Sequence, residues 1–262
     1  MHRLASNPGH RTQERGFLLL TVMVLIFVVT LMVGWGLKRA TMQSRIADLR
    51  IEDYRLHHER LGLIAIAERW MRQENPDSLA QSATSSRPAY RATLPDDTRI
   101  AILVRDGQST LCGRVDAAIG TTREFMLDAL TRIPPGASDQ IRDVGPLKVS
   151  LPHASDETLL ALAGGDERAF TALERLRDDP PENDQKLTLE LNRADLEETP
   201  LNRLSTLVTV EPTLWRLVAD VRDQHGSRRY EILIEYRANR LITHTCRSLP
   251  VPGGDSRERR GR

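Results

Sequence analysis

The spacing of apolar and polar positions along the chain changes several times, and each change marks an element. From Phe17 to Leu37 there is no charged residue and no alternation, and the run is closed by Arg15 on one side and Lys38-Arg39 on the other. About 21 residues at ~1.5 Å of rise each give roughly 30 Å, the hydrocarbon thickness of a bilayer. Past Lys38 the pattern becomes periodic. Ile46, Leu49, Leu56, Leu63, Ile64, Ala67 and Trp70 recur at near-helical spacing among Arg, Asp and Glu. This predicts one helix from Phe17 to about Met71, apolar in its first half and amphipathic in its second. Gly34, Gly36 and Gly62 do not break it, since each costs only about 1 kcal/mol against Ala. The helix is expected to stop near Glu74-Asn75-Pro76-Asp77, because proline disfavours helix in the residue before it.

Ser78 to Asp97 is polar and reads as a surface loop. Thr98 to Arg105 then alternates with a period of two, and Asp106-Gly107 signals a hairpin into Ser109–Cys112. Helical chemistry follows. Thr121 to Ile133 is expected as a helix capped by Thr121 or Thr122 and ended by Pro134-Pro135-Gly136. A pattern then occurs twice at a spacing of 40 residues. Leu151 to Glu157 leads into helical segments ending at Arg177, and Leu191 to Glu197 into segments ending at Arg222. Ser155 or Asp195 would cap the helix that follows, and Glu157 or Glu197 would favour its first turn through the helix dipole. In the first copy Gly164-Gly165 separates two apolar faces, which resembles a helix-hairpin-helix unit. Strand periodicity returns from Arg229 to Tyr236, turns at Ala238-Asn239 and pairs back from Leu241 to Arg247. The tail from Pro250 to Arg262 reads as disordered.

Composition narrows the function classes. A chain of 262 residues holds one or two domains beside the apolar segment, and its net charge of +1 gives no global pull toward nucleic acid. Aromatic residues are 4%, so the core must be built from Leu, Ile, Val and Ala. Arg3, Arg11 and Arg15 precede the apolar segment while Lys38, Arg39 and Arg45 follow it, so the positive-inside rule barely chooses an orientation. A secretory signal peptide has a shorter apolar run and small residues behind it, whereas Gly34-Trp35-Gly36-Leu37 puts a Trp there. The segment is read as retained. The seven histidines are scattered, and no nucleophile elbow, Walker loop or dinucleotide fingerprint occurs, so a non-catalytic protein is expected.

Three sets of residues are candidates for chemistry. Cys112 and Cys246 are the whole thiol inventory, and an even, sparse count outside the cytoplasm permits one disulfide, with two unpaired thiols as the alternative. Between the two repeats, Asp178, Asp179, Glu182 and Asp184 offer the oxygen donors calcium takes, but without EF-hand spacing or its central Gly. A solvated turn with no cofactor is the favoured reading, calcium the alternative. Helix-hairpin-helix units can offer hairpin amides to a DNA phosphate. Here Asp166-Glu167 follows the first hairpin, and the second copy has Val208-Thr209-Val210-Glu211-Pro212 with no Gly, so structural use is favoured over nucleic acid.

The left edge of the apolar segment, Arg15-Gly16-Phe17, resembles the leader junction of type IV pilins and type II secretion pseudopilins. In those families a dedicated peptidase cuts after the Gly and methylates the new amino terminus. The order of long helix, strands, helical insertion and final strands, from Arg15 to Arg247, resembles the K-type minor pseudopilins of type II secretion. The resemblance implies an α+β fold: a pilin-like transmembrane helix packed on a small antiparallel sheet, with a large helical insertion containing two helix-hairpin-helix-like repeats. It divides the chain into a leader (1–16), the transmembrane (17–37) and amphipathic (38–72) halves of the helix, and loop and first strands (73–119). A helical insertion (120–225), returning strands (226–249) and a tail (250–262) complete it. It further implies cleavage at Gly16, N-methylation of Phe17, and an inner-membrane anchor with the bulk of the chain periplasmic. Prepilin peptidase, I- and J-type minor pseudopilins, the pseudopilus, the inner-membrane secretion platform and membrane lipid are the partners it implies. Most pilins carry Glu at the fifth mature position, where this chain has Thr21. K-type proteins also lack it, as suits a tip subunit with no neighbour ahead whose amino terminus it could attract. A minor pilin of a related pilus or DNA-uptake filament, an uncleaved anchored domain, and an anchored DNA-binding module remain the alternatives.

Overall fold

In the computed structural model, residues 10–251 are described apart from Asn239, with only the backbone described for residues 10–18, 117 and 138. The readings made for the leader up to Gly9 and for the tail beyond Val251 lie outside these residues. The predicted long helix is present as α1 (His10–Met71). Two compact units divide the chain, residues 1–60 and residues 61–262.

In the second unit, the last turns of α1 lie on one face of an antiparallel sheet. Leu63, Ala67 and Trp70 recur at three- and four-residue intervals, which places them on one helical stripe. They pack with Ile100, Ile102 and Val104 of β2 (Arg99–Asp106), Trp215 and Leu217 of β7 (Leu214–Asp223), and Tyr230, Ile232 and Ile234 of β8 (Gly226–Arg237). The sheet order is β1-β2-β7-β8-β9, with β1 (Tyr90–Thr93) and β9 (Arg240–Leu249) at the edges. Period-two alternation decides which face each strand buries, and β2 shows it cleanly, its even-numbered residues being buried. The Thr243 hydroxyl donates to the Glu68 carboxylate at 2.8 Å, tying the helix to β9.

Two sequence expectations change here. The stretch read as a loop holds α2 (Pro76–Thr84) and β1. Asn75 accepts from the Asp77 N–H and Pro76 occupies the first helical turn, so the proline that ends α1 also starts α2. Asp106-Gly107 makes no hairpin. The chain leaves the sheet there, and β3 (Leu111–Cys112) pairs in parallel with β4 (Ile141–Arg142) in a separate two-stranded sheet.

Residues 107–213 form the insertion between β2 and its neighbour β7, and they carry their own core. The core is leucine-rich: Leu111, Leu151, Leu159, Leu162, Leu173, Leu191, Leu204 and Leu207 are all fully buried, with Met126 and Val149 between them. Its helices are α3 (Thr121–Thr131), α4 (Asp156–Ala163), α5 (Glu167–Asp178), α6 (Asp184–Arg193) and α7 (Glu198–Leu207). A second parallel ladder joins β5 (Val149–Ser150) to β6 (Val208–Thr209). The first repeat forms as expected, with the Ser155 hydroxyl accepting from the Thr158 N–H. In the second, the segment expected to stay helical to Arg222 is β7, and the hairpin is made by α6 and α7 instead. Trp215 to Val221 alternates strictly in burial, so the pairing of β7 with β2 and β8 overrides the repeat. Asp195 does not cap; it adopts φ 50, and α7 begins after Glu197. Nor do Thr121 and Thr122 cap α3, whose N-cap is Gly120.

Candidate functional site

Every described side chain from Leu19 to Tyr54 is exposed. Leu25 and Phe27 are each 64% exposed and Trp35 67%. Among the described residues α1 is the one helix long and apolar enough to cross a membrane, and none of its most apolar window is buried. An exposed apolar surface of this length is solvated favourably by lipid or by other apolar helices. Hydroxyls within and just past the segment are satisfied locally. Thr30 donates to the Ile26 carbonyl at 2.7 Å and Thr41 to that of Lys38 at 2.9 Å, as an α-helix in hydrocarbon requires. At its end Arg39 lies 5.7 Å from the centre of the Trp35 ring, a pairing suited to the membrane–water boundary. The expected cleavage residues Gly16 and Phe17 fall inside the helical backbone of α1, and Thr21 is exposed within the span.

A second constellation lies where the insertion departs from the sheet and returns to it. Gly107 opens it: its N–H donates to the Leu214 carbonyl at 3.0 Å, and a β-carbon there would press on the β7 backbone at 3.1 Å. Gln108 follows, 2% exposed, with both ends of its amide used. Its Oε1 accepts from the N–H groups of Thr213 at 2.8 Å and Leu214 at 3.2 Å, and its Nε2 donates to the Lys148 carbonyl at 3.0 Å. Beside it the guanidinium of Arg142 donates to the carbonyls of Gln108, Pro146 and Lys148. Burial lowers the pKa of Arg142 to about 10, against the pull of nearby Cys112, Asp106 and Glu235, so it stays charged at neutral pH. Burial also raises Asp106, whose Oδ1 accepts from the Gln108 N–H at 2.7 Å. These groups fix two strand ends and one insertion loop on a single buried amide. Sequence reasoning missed Gln108 and Arg142, since neither belongs to a periodic pattern.

The hairpin between α4 and α5 is built for packing. Gly164 ends α4 in the left-handed region at φ 70, and the guanidinium of Arg203 from α7 lies where its side chain would be. Arg203 is held by Asp128 at 2.8 Å and lies 5.4 Å from the Phe125 ring centre. At the start of α5 the Asp166 carboxylate accepts from the N–H groups of Arg168 at 2.8 Å and Ala169 at 3.0 Å. The amides a phosphate would use are thereby occupied by a fixed anion. Arg177 pairs with Asp156, closing the two helices into a hairpin at their far ends.

The four acidic candidates for calcium do not converge. Asp178 pairs with Arg177 at 3.3 Å and Glu182 with Lys186 at 2.5 Å. Asp184 accepts from the Thr209 hydroxyl at 2.8 Å, the Val210 N–H at 2.9 Å and the Lys148 ammonium at 3.1 Å. Burial pushes the pKa of Asp184 up, but those three donors outweigh it and leave the carboxyl below its ordinary range. Asp184 is thus a brace between α6, β6 and the loop before β5. Asp179 follows the end of α5. Among the described residues no three His, Cys, Asp or Glu side chains are grouped to hold a metal ion.

Among the described residues there is no disulfide, so Cys112 and Cys246, expected as one alternative to be joined, are not bridged. Cys112 is buried in β3, where its thiol faces the Gly145 carbonyl at 3.9 Å. Cys246 lies in β9 opposite Ile232 and packs against the Trp215 core. The two cysteines belong to different sheets, Cys112 paired through β4 and Cys246 through β8.

No protein-family description matches the chain, and no curated protein matches it. Among solved structures, the chain is similar to one in the crystal structure of the GspK-GspI-GspJ complex from the enterotoxigenic Escherichia coli type 2 secretion system. The TM-score is 0.49 at 11% identity, covering 77% of this chain and 100% of that one.

Proposed function

We propose that this chain is a non-catalytic minor pseudopilin of the K type, placed at the tip of a type II secretion pseudopilus, where it helps initiate assembly and protein export. One observation carries the reading. A single helix joins an unburied membrane-length segment to an end packed on an antiparallel sheet, and a helical insertion with its own core interrupts that sheet between neighbouring strands. The apolar half of α1 anchors the chain in the inner membrane with its bulk on the periplasmic side. A prepilin peptidase removes the leader after Gly16 and methylates Phe17. I- and J-type minor pseudopilins and the inner-membrane platform are its partners, and it acts as a substrate of the peptidase rather than as a catalyst. The hairpin capped by Asp166 favours this over DNA binding.

Mass spectrometry of the mature amino terminus tests the proposal. N-methyl-Phe17 is the expected result, and a retained Met1 refutes it. For the tip position the test is Thr21→Glu, which should leave secretion unchanged or reduced; improved secretion refutes that placement.

A further inference from the structure

The sheet face turned away from the Trp215 core carries a charge arrangement the fold does not need. On β1, β2 and β7 the side chains alternating to this face include Arg91, Arg99, Ala101, Asp220 and Arg222. The register sets Arg99 directly opposite Arg222 and Arg91 opposite Ala101, so Arg91 is diagonal to Arg99. Like charges directly opposed on neighbouring strands, about 4.8 Å apart, destabilise a sheet.

Among the described residues no carboxylate relieves them. Asp220, the one acidic group lining the same concavity, takes two hydrogen bonds from Arg229 at 2.6 and 3.0 Å. Among the described residues Arg91, Arg99 and Arg222 have no ion-pair partner, and all three are exposed. Other arginines of this face are engaged. Arg105 donates to the carbonyls of Ala83 and Ser85, and Arg216 and Arg247 flank Glu231. The unpaired three border a concavity of about 530 Å³ that includes the small side chain of Ala101.

We infer that this concavity docks an acidic, extended segment of a partner protein, whose carboxylates are taken up by Arg91, Arg99 and Arg222. Guanidinium forks match carboxylates in shape as well as charge. An extended segment repeats same-side groups every ~6.7 Å, within the range set by directly opposed and diagonal positions on a sheet. The patch is also short. The three arginines occupy only the β1-β2-β7 part of this face, around a concavity of about 530 Å³, whereas a duplex needs a footprint of roughly 600 Å² or more. The inference stands on charge and register and does not depend on the secretion reading.

Fluorescence anisotropy on the full chain in detergent micelles tests it, with a labelled peptide of alternating Glu and Thr as probe and alternating Lys and Thr as control. The acidic peptide should bind, more weakly as salt rises, and the basic peptide should not. Arg99→Glu should weaken binding by about tenfold or more. The same variant should melt at or above the parent temperature, because it turns a repelling cross-strand pair into an attracting one. The opposite signs exclude misfolding as the cause. Undiminished binding by the variant, equal binding of the basic peptide, or a lowered melting temperature overturns the inference. Displacement of the probe by duplex DNA at lower concentration than by unlabelled peptide overturns it in favour of nucleic acid.

Discussion

Replacing Gln108 with Leu tests whether one buried amide holds the insertion to the sheet. The substitution keeps the approximate volume and removes four hydrogen bonds, leaving the N–H and hydroxyl of Thr213, the N–H of Leu214 and the carbonyl of Lys148 without this partner. A net intramolecular hydrogen bond is worth about 1 kcal/mol, while a buried group left unpaired costs about 1 to 3 kcal/mol. Leu214 is fully buried and the other two sites are partly so, and the added apolar contact of Leu returns a fraction. The expected loss is therefore about 2 to 4 kcal/mol, a large share of the 5 to 15 kcal/mol typical of a domain. The assay is urea unfolding of the full chain in detergent, followed by tryptophan emission. Trp215, 2% exposed, sits beside Leu214 and reports this junction. Hydrogen exchange at the Thr213 and Leu214 amides should rise more than at the β8 amides. A loss under about 0.5 kcal/mol, within the range of an ordinary surface substitution, would refute the bracing role.

Other expectations follow from the same contacts. Gly164→Ala should cost about 1 to 3 kcal/mol in unfolding free energy, because it strains a left-handed residue and displaces Arg203 from Asp128; a neutral result would show that the hairpin yields freely. Asp184 has a depressed pKa in the folded chain, so its contribution is fully present above the unfolded value of about 3.9 and is lost as pH falls through the folded value. Asp184→Asn should therefore lower the urea midpoint at neutral pH by the equivalent of about 1 to 2 kcal/mol, with the gap closing below about pH 4; a pH-independent gap would refute the charge assignment. Under non-reducing conditions mass mapping should find two alkylatable thiols, with Cys246 reacting in the folded chain and Cys112 only on unfolding; a bridged peptide would contradict the separate sheets.

The parts of the fold legible in the sequence were those written as long periodic runs. The apolar run and the stripe of Leu63, Ala67 and Trp70 announce α1 because burial on one helix face needs that spacing. β2 and β8 are legible for the same reason with a period of two. Short elements were not. The sequence Asn75-Pro76 marks both a stop and a start, and only the stop was read. The strand β7 was hidden because Leu214-Trp215-Arg216-Leu217-Val218 fits a helical repeat as easily as a strand, and pairing with β2 and β8 decides the matter. The acidic loop announced oxygen donors but not their neighbours, and Arg177, Lys186, Lys148 and Thr209 claim three of the four. Arg203 could have been suspected only from Gly164, whose lack of a side chain reserves space for something arriving from elsewhere.

The position of the insertion also sets the entropy of closing the central strand pair. β2 and β7 are hydrogen-bonded neighbours separated by roughly 100 residues, and closing a flexible loop of that length costs about 4 kcal/mol in chain entropy. A leucine core of residues 107–213 that formed first would bring its two ends together at Gln108 and Thr213 ahead of the sheet. The sheet then closes across a short, rigid bridge instead of a long coil. On that order the helical module would be a template for the central strand pair. Loosening its core should slow the burial of Trp215 during refolding, although none of the core leucines discussed above touches that residue's sheet core.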